Sequence, residues 1–388
     1  MSDRRFDVVL LGATGFAGGL TAEYLAWHAP VECRWALAGR NTAKLENVRA
    51  KLATIDARLS TLDLVPADST DAGSLRALAE QSRVIASTVG PYALHGEPLV
   101  AACAAAGTDY LDLTGEPEFV DEMYLRHSET AVASGARLVH ACGFDSIPHD
   151  VGAYFTVQQL PEGVPLRVRG YVEVSATFSG GTAASALNAF AHPTRTLSAA
   201  RRRARVDRPD GSRSARVVTG RPHHDRTTGT WALPMPTIDP QIVTRSARAV
   251  DRYGPDFRYS HFVGLPHART AAGLAAGVAG LFAAAQVPPV RRALLSRIPA
   301  GTGPSAEKRA RSWFRVTFVG EGGGERVVTR VSGGDPGYDE TAVMLAESAL
   351  ALAFDDLPAT RGQVTTVTAM GDALLARLQA AGMRFEVL

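Results

Sequence analysis

From Phe6 to Cys142, short apolar runs alternate with stretches whose apolar residues recur at helical spacing. Phe6–Leu11, Cys33–Ala38, Thr61–Pro66, Val84–Val89, Tyr110–Leu113 and Arg137–Cys142 read as strands. Phe16–His28, Thr42–Leu52, Ala72–Gln81, Glu97–Ala106 and a segment after Pro117 read as helices. Strands that alternate with helices need right-handed crossovers, which give a parallel sheet. Six of them fit a doubly wound, Rossmann-type α/β fold.

The period then changes. Leu166–Phe178 alternates as a strand, and Trp313–Val319 and Glu325–Val331 read as paired strands around Gly322, Gly323 and Gly324. Thr341–Phe354 is a helix for which Asp339 is the expected cap. Arg201–Arg226 is rich in Arg, Pro, Gly and His, lacks an apolar period, and reads as a loop or inserted arm. The expected organisation is a nucleotide-binding domain over 1–150 and a second α+β domain over 151–335, for substrate binding and dimerisation. That second domain is built on a largely antiparallel sheet and carries the Arg-rich arm 201–226. Over 336–388, helices return to the first domain.

Composition changes this picture little. The 388 residues are 46% hydrophobic, enough for two cores, and a net charge of +2 gives no reason to expect nucleic acid as a partner. Cys33, Cys103 and Cys142 are too scattered for a disulfide framework or a zinc motif, so no metal is expected and a cytoplasmic setting is the simplest. Thr270–Val290 carries no charge over the length of a membrane span, but it is mostly Ala and Gly and includes Pro288 and Pro289. A buried or subunit-interface helix is expected there, with peripheral lipid contact as the alternative.

The first strand runs straight into Gly12-Ala-Thr14-Gly15-Phe16-Ala-Gly18 and a helix. Glycines let the chain turn tightly and let backbone approach a diphosphate, while the helix start offers free N–H groups. Strand 2 ends in Ala38-Gly39-Arg40-Asn41 rather than in an acid. A guanidinium there pairs with a 2′-phosphate, so the expected cofactor is NADPH. Asp68, after strand 3, is expected near the adenine, and Val89-Gly90-Pro91, after strand 4, near the nicotinamide half.

Gly12–Gly18, Ala38-Gly-Arg40, Thr88-Val-Gly-Pro-Tyr92 and Thr108-Asp-Tyr-Leu-Asp-Leu-Thr-Gly-Glu116 together resemble the saccharopine dehydrogenase-like oxidoreductases. Ala141-Cys-Gly-Phe-Asp-Ser-Ile-Pro148, Ser179-Gly-Gly-Thr182, Gly301-Thr-Gly-Pro-Ser305 and Met370-Gly-Asp-Ala-Leu-Leu-Ala-Arg377 resemble their trans-acting enoyl reductase branch. The resemblance implies reduction of a carbon–carbon double bond in an acyl chain held by a polyketide or lipid synthase. Reduction of imines, aldehydes or ketones, or a non-catalytic lipid-associated NADP-binding role, are the alternatives.

Enoyl reduction needs a proton for the α-carbon and donors for the developing enolate oxygen. Tyr92, His95 and Asp145 are the candidate catalytic residues, with Ser146 and His149 beside them. Each also has a structural reading: a packed ring for Tyr92, a cap for His95, a helix start for Asp145 and His149. Ser179–Thr182 is a further candidate oxygen site. Cys142 reads as a buried small residue. Arg201, Arg202, Arg203 and Arg205 could dock an acidic carrier protein bearing a large apolar acyl substrate, and a homodimer is a further expected state.

Overall fold

The computed structural model describes residues 4–176, 187, 191, 193–207, 213–296 and 303–388. Its first third forms a doubly wound sheet. The strands are β1 (Phe6–Leu11), β2 (Trp35–Gly39), β3 (Asp63–Pro66), β4 (Ser82–Ser87), β5 (Asp109–Asp112) and β6 (Arg137–Val139). Between them run α1 (Phe16–His28), α2 (Thr42–Leu52), α3 (Ala72–Gln81), α4 (Tyr92–His95), α5 (Glu97–Ala106) and α6 (Pro117–Ser134). The order is β3-β2-β1-β4-β5-β6, all parallel, and a seventh strand, β14 (Gly362–Val364), lies parallel beyond β6. β1 is buried along its whole length. Val8 and Leu10 belong to one core with Met344 and Leu345, and Val9 and Leu11 to another with Leu75 and Leu99. A strand covered on both faces is mostly apolar, which is why Val8–Leu11 reads as a continuous run; the buried Asp7 before it is paired with Arg34 and Arg83.

α7 (Ile147–Val157) leads from this sheet to the second one. The second sheet holds β7 (Leu166–Ser175), β8 (Ser214–Val217), β9 (His223–His224), β10 (Trp231–Pro234), β11 (Asp256–Leu265), β12 (Trp313–Gly322), β13 (Glu325–Gly333) and β15 (Arg384–Val387). Its order is β15-β13-β12-β7-β11-β10-β9, with β8 beside β11. β11 pairs parallel with β7 and β8, and the other pairings are antiparallel. The remaining helices are α8 (Pro193–Val206), α9 (Asp239–Ala249), α10 (Ala268–Ala285), α11 (Pro288–Leu295), α12 (Ala306–Ala310), α13 (Asp339–Phe354) and α14 (Thr366–Ala380). α13 returns to pack on α1, β1, β4 and β5.

Several expectations need correction. The arm at 201–226 is not a loop throughout: Arg201–Val206 finish α8, and β8 and β9 are strands of the second sheet. Ion pairs do there what apolar periodicity does elsewhere. Arg203 meets Asp121 and Asp207, and Arg216 meets Asp256. Strand 6 stops at Val139 instead of Cys142, because Ala141 takes a left-handed conformation (φ 60) with its N–H on Asp112 Oδ1. Asp339 opens its helix rather than capping it, and Asp335 Oδ2 receives the Tyr338 N–H at 2.9 Å. α10 is not buried within the chain. Leu274, Val278, Leu281 and Phe282 fall on one face and are each 37% to 45% exposed. Ser179–Thr182, and Gly301 and Thr302 of the third motif, lie outside the described residues.

Candidate functional site

The glycine turn is built as a cradle. Gly12 has φ +94, and a Cβ on it would stand 2.6 Å from Thr88 Oγ1. A Cβ on Gly18 would stand 2.2 Å from the Gly12 carbonyl oxygen. Thr88 fastens the turn from the next strand: its N–H donates to Leu11 O at 2.9 Å and its hydroxyl to Gly12 O at 3.2 Å. The first turn of α1 cannot satisfy its own N–H groups, and Gly15 at the N-cap offers no side chain to do so. Thr14 and Gly15 are exposed beside it, so the turn fits an anionic diphosphate.

Arg40 is exposed at the end of β2, and Asn41 next to it caps α2 through the Lys44 N–H at 3.0 Å. Asp68 Oδ1 accepts from Thr70 N at 2.9 Å and from Thr70 Oγ1 at 2.8 Å. Those bonds hold its carboxyl below the usual range, helped by the charges of Arg40 and His95. The fold thus groups Arg40, Asp68 and His95 on the adenosine side. Among the described residues no contact joins His95 to Asp145. Val89, Gly90 and Pro91 leave the sheet as a partly open segment. Phe16 turns toward the C-terminal half. Its ring meets Tyr338 edge-on at 4.8 Å, lies under Arg309 at 5.4 Å, and covers Gly303.

Tyr92 does not offer a proton. It is buried, its hydroxyl donates to Ser87 O at 2.9 Å, and it accepts the Leu113 N–H at 3.1 Å. Burial raises its pKa well above the ordinary 10, so it is a strut between β4 and the loop after β5. Tyr92→Phe would orphan two buried backbone groups. It is expected to cost roughly 1–3 kcal/mol of stability in urea titrations and to leave turnover near normal.

Asp145 is different. Its carboxyl lies over Gly115, where a Cβ would stand 2.7 Å from Oδ2, and it makes no hydrogen bond among the described residues. Burial, then the nearby charge of Asp239, raises its pKa to about 6, with His149 opposing. Behind it lies a cluster that no local pattern announces. His149 Nδ1 is 2.8 Å from Asp239 Oδ1, and His261 Nε2 is 3.7 Å from Asp239 Oδ2. Tyr259 and Thr237 hold the far sides of His261 and Asp239. Burial pushes the His261 pKa down to about 3, so its imidazole is neutral. Donor atoms of these three residues fall within 4.8 Å of one another, and two imidazoles with a carboxylate are a donor set a divalent cation accepts. The 2.8 Å approach is tighter than the roughly 3.3 Å expected between two ligands of a tetrahedral zinc.

Residues 8–139 match the family described as the saccharopine dehydrogenase NADP binding domain. A trans-acting enoyl reductase of Mycobacterium ulcerans (strain Agy99) is 37% identical over 419 aligned positions, covering 98% of this chain and 97% of that protein. Another, of Mycobacterium tuberculosis (strain ATCC 25618 / H37Rv), is 36% identical over 417 positions, covering 98% and 97%. The chain belongs to the trans-acting enoyl reductase family of saccharopine dehydrogenase-like oxidoreductases. Apo saccharopine dehydrogenase (L-Glu forming) from Saccharomyces cerevisiae shares the fold, with a TM-score of 0.55 at 12% identity over 98% of this chain and 99% of that one. This family member is an NADP-dependent oxidoreductase. NADPH fits the cradle described above, where Gly12, Gly15 and Gly18 would hold its diphosphate.

Other residues organise the site without having been singled out in the sequence. Asp112, buried at the end of β5, takes the N–H groups of Thr114 and Ala141 on Oδ1 and faces His140 Nδ1 with Oδ2 at 2.6 Å. It thereby bends the chain after β6 toward Asp145. Glu116 receives the N–H groups of Tyr92 at 3.1 Å and Ala93 at 3.0 Å. Both lie in the Tyr110–Glu116 motif, where two acids flanking Leu-Thr-Gly in an apolar setting were the available signal. His149 and Asp150, expected simply to open α7, have separate tasks. Asp150 Oδ2 accepts Thr366 Oγ1 at 2.7 Å and the Val367 N–H at 3.1 Å, which ties α7 to the start of α14.

Proposed function

We propose that this enzyme reduces the carbon–carbon double bond of an enoyl thioester, with Asp145 as the proton donor. One observation carries the reading: the carboxyl of the half-buried Asp145, free of hydrogen bonds among the described residues, whose pKa burial raises to about 6 beside the carboxyl ends of β5 and β6. The names of the mycobacterial relatives support the reaction class. NADPH supplies the hydride when bound. As the β-carbon gains it, the double-bond electrons move onto the thioester oxygen as an enolate. The Asp145 carboxyl O–H then gives its proton to the α-carbon, and the carboxylate left behind is reprotonated from solvent. His149 and Asp239 position the carboxyl and set its affinity for the proton.

The test is NADPH oxidation against matched enoyl-thioester, ketone and imine compounds, with product masses recorded. Gain of two hydrogens on the enoyl compound alone is the expected result. Turnover confined to the ketone or imine would replace the reaction. Tight NADPH binding with no turnover on any compound, carrier-bound ones included, would favour a binding role.

We also propose that α10 rests on an anionic lipid surface, which suits an enzyme of acyl chains. From Phe257 to Ala306 the sequence has five arginines and no acid. The apolar face of α10 is therefore flanked in sequence by Arg269 on one side and Arg291 and Arg292 on the other, which attract anionic headgroups and repel a second copy of the same face. Flotation with phosphatidylglycerol vesicles, abolished by Leu281→Asp with Phe282→Asp, is the expected outcome. A dimer in solution that the same pair of substitutions dissociates would overturn it.

A further inference from the structure

A cleft of about 490 Å³ lies away from the glycine turn, between α6 and the second-domain helices. One wall is the α6 face formed by Val120, Tyr124, Ser128 and Val132, spaced by one turn each. Arg203 from α8, Arg245 and Arg248 from α9, Arg213 ahead of β8 and Arg361 ahead of β14 also line it. Five arginines from four separate stretches of chain do not converge without compensation. The acids that meet them are Asp121, Asp207 and Asp251. Three carboxylates against five guanidinium groups leave two positive charges.

The shortage is visible at particular atoms. Asp121 Oδ1 is shared between Arg203, at 3.4 Å, and Arg245, at 2.5 Å. Arg245 Nη1 is buried without a hydrogen-bond partner among the described residues. Burial and the neighbouring Arg203 charge together lower the Arg245 pKa to about 10. Arg248 and Arg361 are exposed and meet no carboxylate among the described residues. A buried donor with nothing to bind costs free energy that a phosphate oxygen would recover, and a planar guanidinium matches such an oxygen pair well. Arg203 is held in place from behind, stacked 3.9 Å over the Tyr124 ring and bonded to Gln363 Oε1 at 2.5 Å.

We propose that this cleft binds the phosphate of a phosphopantetheine-type arm, the group on which an acyl thioester is carried. The proposal rests on the thioester reading above and adds the place where the carrier end of the substrate is recognised. His140 and Thr365, which line the cleft, directly follow β6 and β14 at the carboxyl edge of the parallel sheet. The nicotinamide end of the cofactor fold lies after β4 on that same edge. In the order β4-β5-β6-β14 this is three strand spacings away, about 14 Å. Arg361 stands ahead of the three-residue β14, at the opposite edge, which adds about 10 Å along the strand. An extended pantetheine arm spans that diagonal, so a phosphate held by the arginines would leave the thioester on the Asp145 side of the sheet.

The experiment is calorimetric titration of the full chain with 4′-phosphopantetheine, with pantetheine and with inorganic phosphate. The wild type is compared with Arg248→Gln combined with Arg361→Gln, two exposed positions outside the cofactor cradle. The expected result is that 4′-phosphopantetheine binds at least tenfold more tightly than pantetheine, that inorganic phosphate competes with it, and that the double variant loses the preference while keeping its NADPH affinity. Equal binding of the phosphorylated and unphosphorylated arms would overturn the proposal. So would a preference that survives in the double variant. Inorganic phosphate binding as tightly as 4′-phosphopantetheine would overturn it in favour of a free-anion site. Turnover of a short enoyl thioester lacking phosphate, measured on the same variant, separates this outcome from failure of the reaction assignment. It stays at the wild-type rate if only the cleft reading is wrong.

Discussion

Arg40→Ala is expected to weaken NADPH binding by roughly 10- to 100-fold, the worth of a hydrogen-bonded charge pair, and to leave NADH binding almost unchanged. The argument is one of position. Arg40 is exposed at the carboxyl end of β2, and it makes no hydrogen bond or ion pair among the described residues. Its charge reaches Asp68 across the strand ends, so it faces the space where a ribose 2′-substituent would lie. No acid stands at the end of β2 to compete for it. Fluorescence titration with both nucleotides reads the ratio directly. An equal loss for both, or none for either, would remove Arg40 from the 2′-phosphate role. Asn41→Ala is not an equivalent test, because Asn41 caps α2 and its loss acts on the helix.

Asp145→Asn is expected to lower kcat by roughly 10²- to 10⁴-fold, as loss of a general acid does, with NADPH affinity retained. The pH profile gives the sharper result. Asp145 must be protonated to donate, and its pKa is raised to about 6, so kcat should fall as pH rises through about 6. The variant should lose that inflection. The same substitution makes a second, opposite prediction. A carboxyl whose folded pKa lies above its unfolded value contributes most stability at low pH, and that contribution is lost as pH rises through the folded value. At neutral pH the buried charge therefore burdens the fold. Asp145→Asn should raise stability at pH 7 by roughly 2 kcal/mol, after allowance for partial exposure, with no gain at pH 3. A slower and more stable enzyme is the pattern of a group retained for chemistry. A variant that is both slower and less stable at neutral pH would mark Asp145 as structural.

The parallel sheet was legible because strands buried on both faces are mostly apolar: β2 is so throughout, β1 from Val8 to Leu11, and β4 from Val84 to Ala86. The glycine turn was legible for a related reason, since Gly12 and Gly18 sit where no Cβ fits. What escaped depends on partners distant in sequence. β14 is three residues long and becomes a strand only because β6 offers it an edge. The arginines of 201–216 read as a solvated arm because charge has no period, and their acids come from α6, from Asp207 and from β11. Asp145 stood out in its motif, but its raised pKa comes from burial and from Asp239, far along the chain. Tyr92 shows the converse error. A tyrosine after a strand end has the right chemistry for a donor, and only the Ser87 carbonyl and the Leu113 N–H reveal that the hydroxyl is already committed.

The path of the C-terminus has a consequence for how the enzyme is made. β14 closes the outer edge of the nucleotide-binding sheet against β6, which precedes it by more than 200 residues, and β15 closes the second sheet against β13. β6 and β13 therefore lack these neighbours until residues 362–364 and 384–387 are present. Contacts of such sequence separation form late and slowly. Until then β6 and β13 are themselves edges, where a stray strand could add. A chain cut short before Gly362 would carry the glycine turn, Arg40 and Asp145 intact, yet it is expected to aggregate rather than bind nucleotide. Competence for the cofactor, though written in the first third of the chain, is thus expected to depend on residues after Gly362.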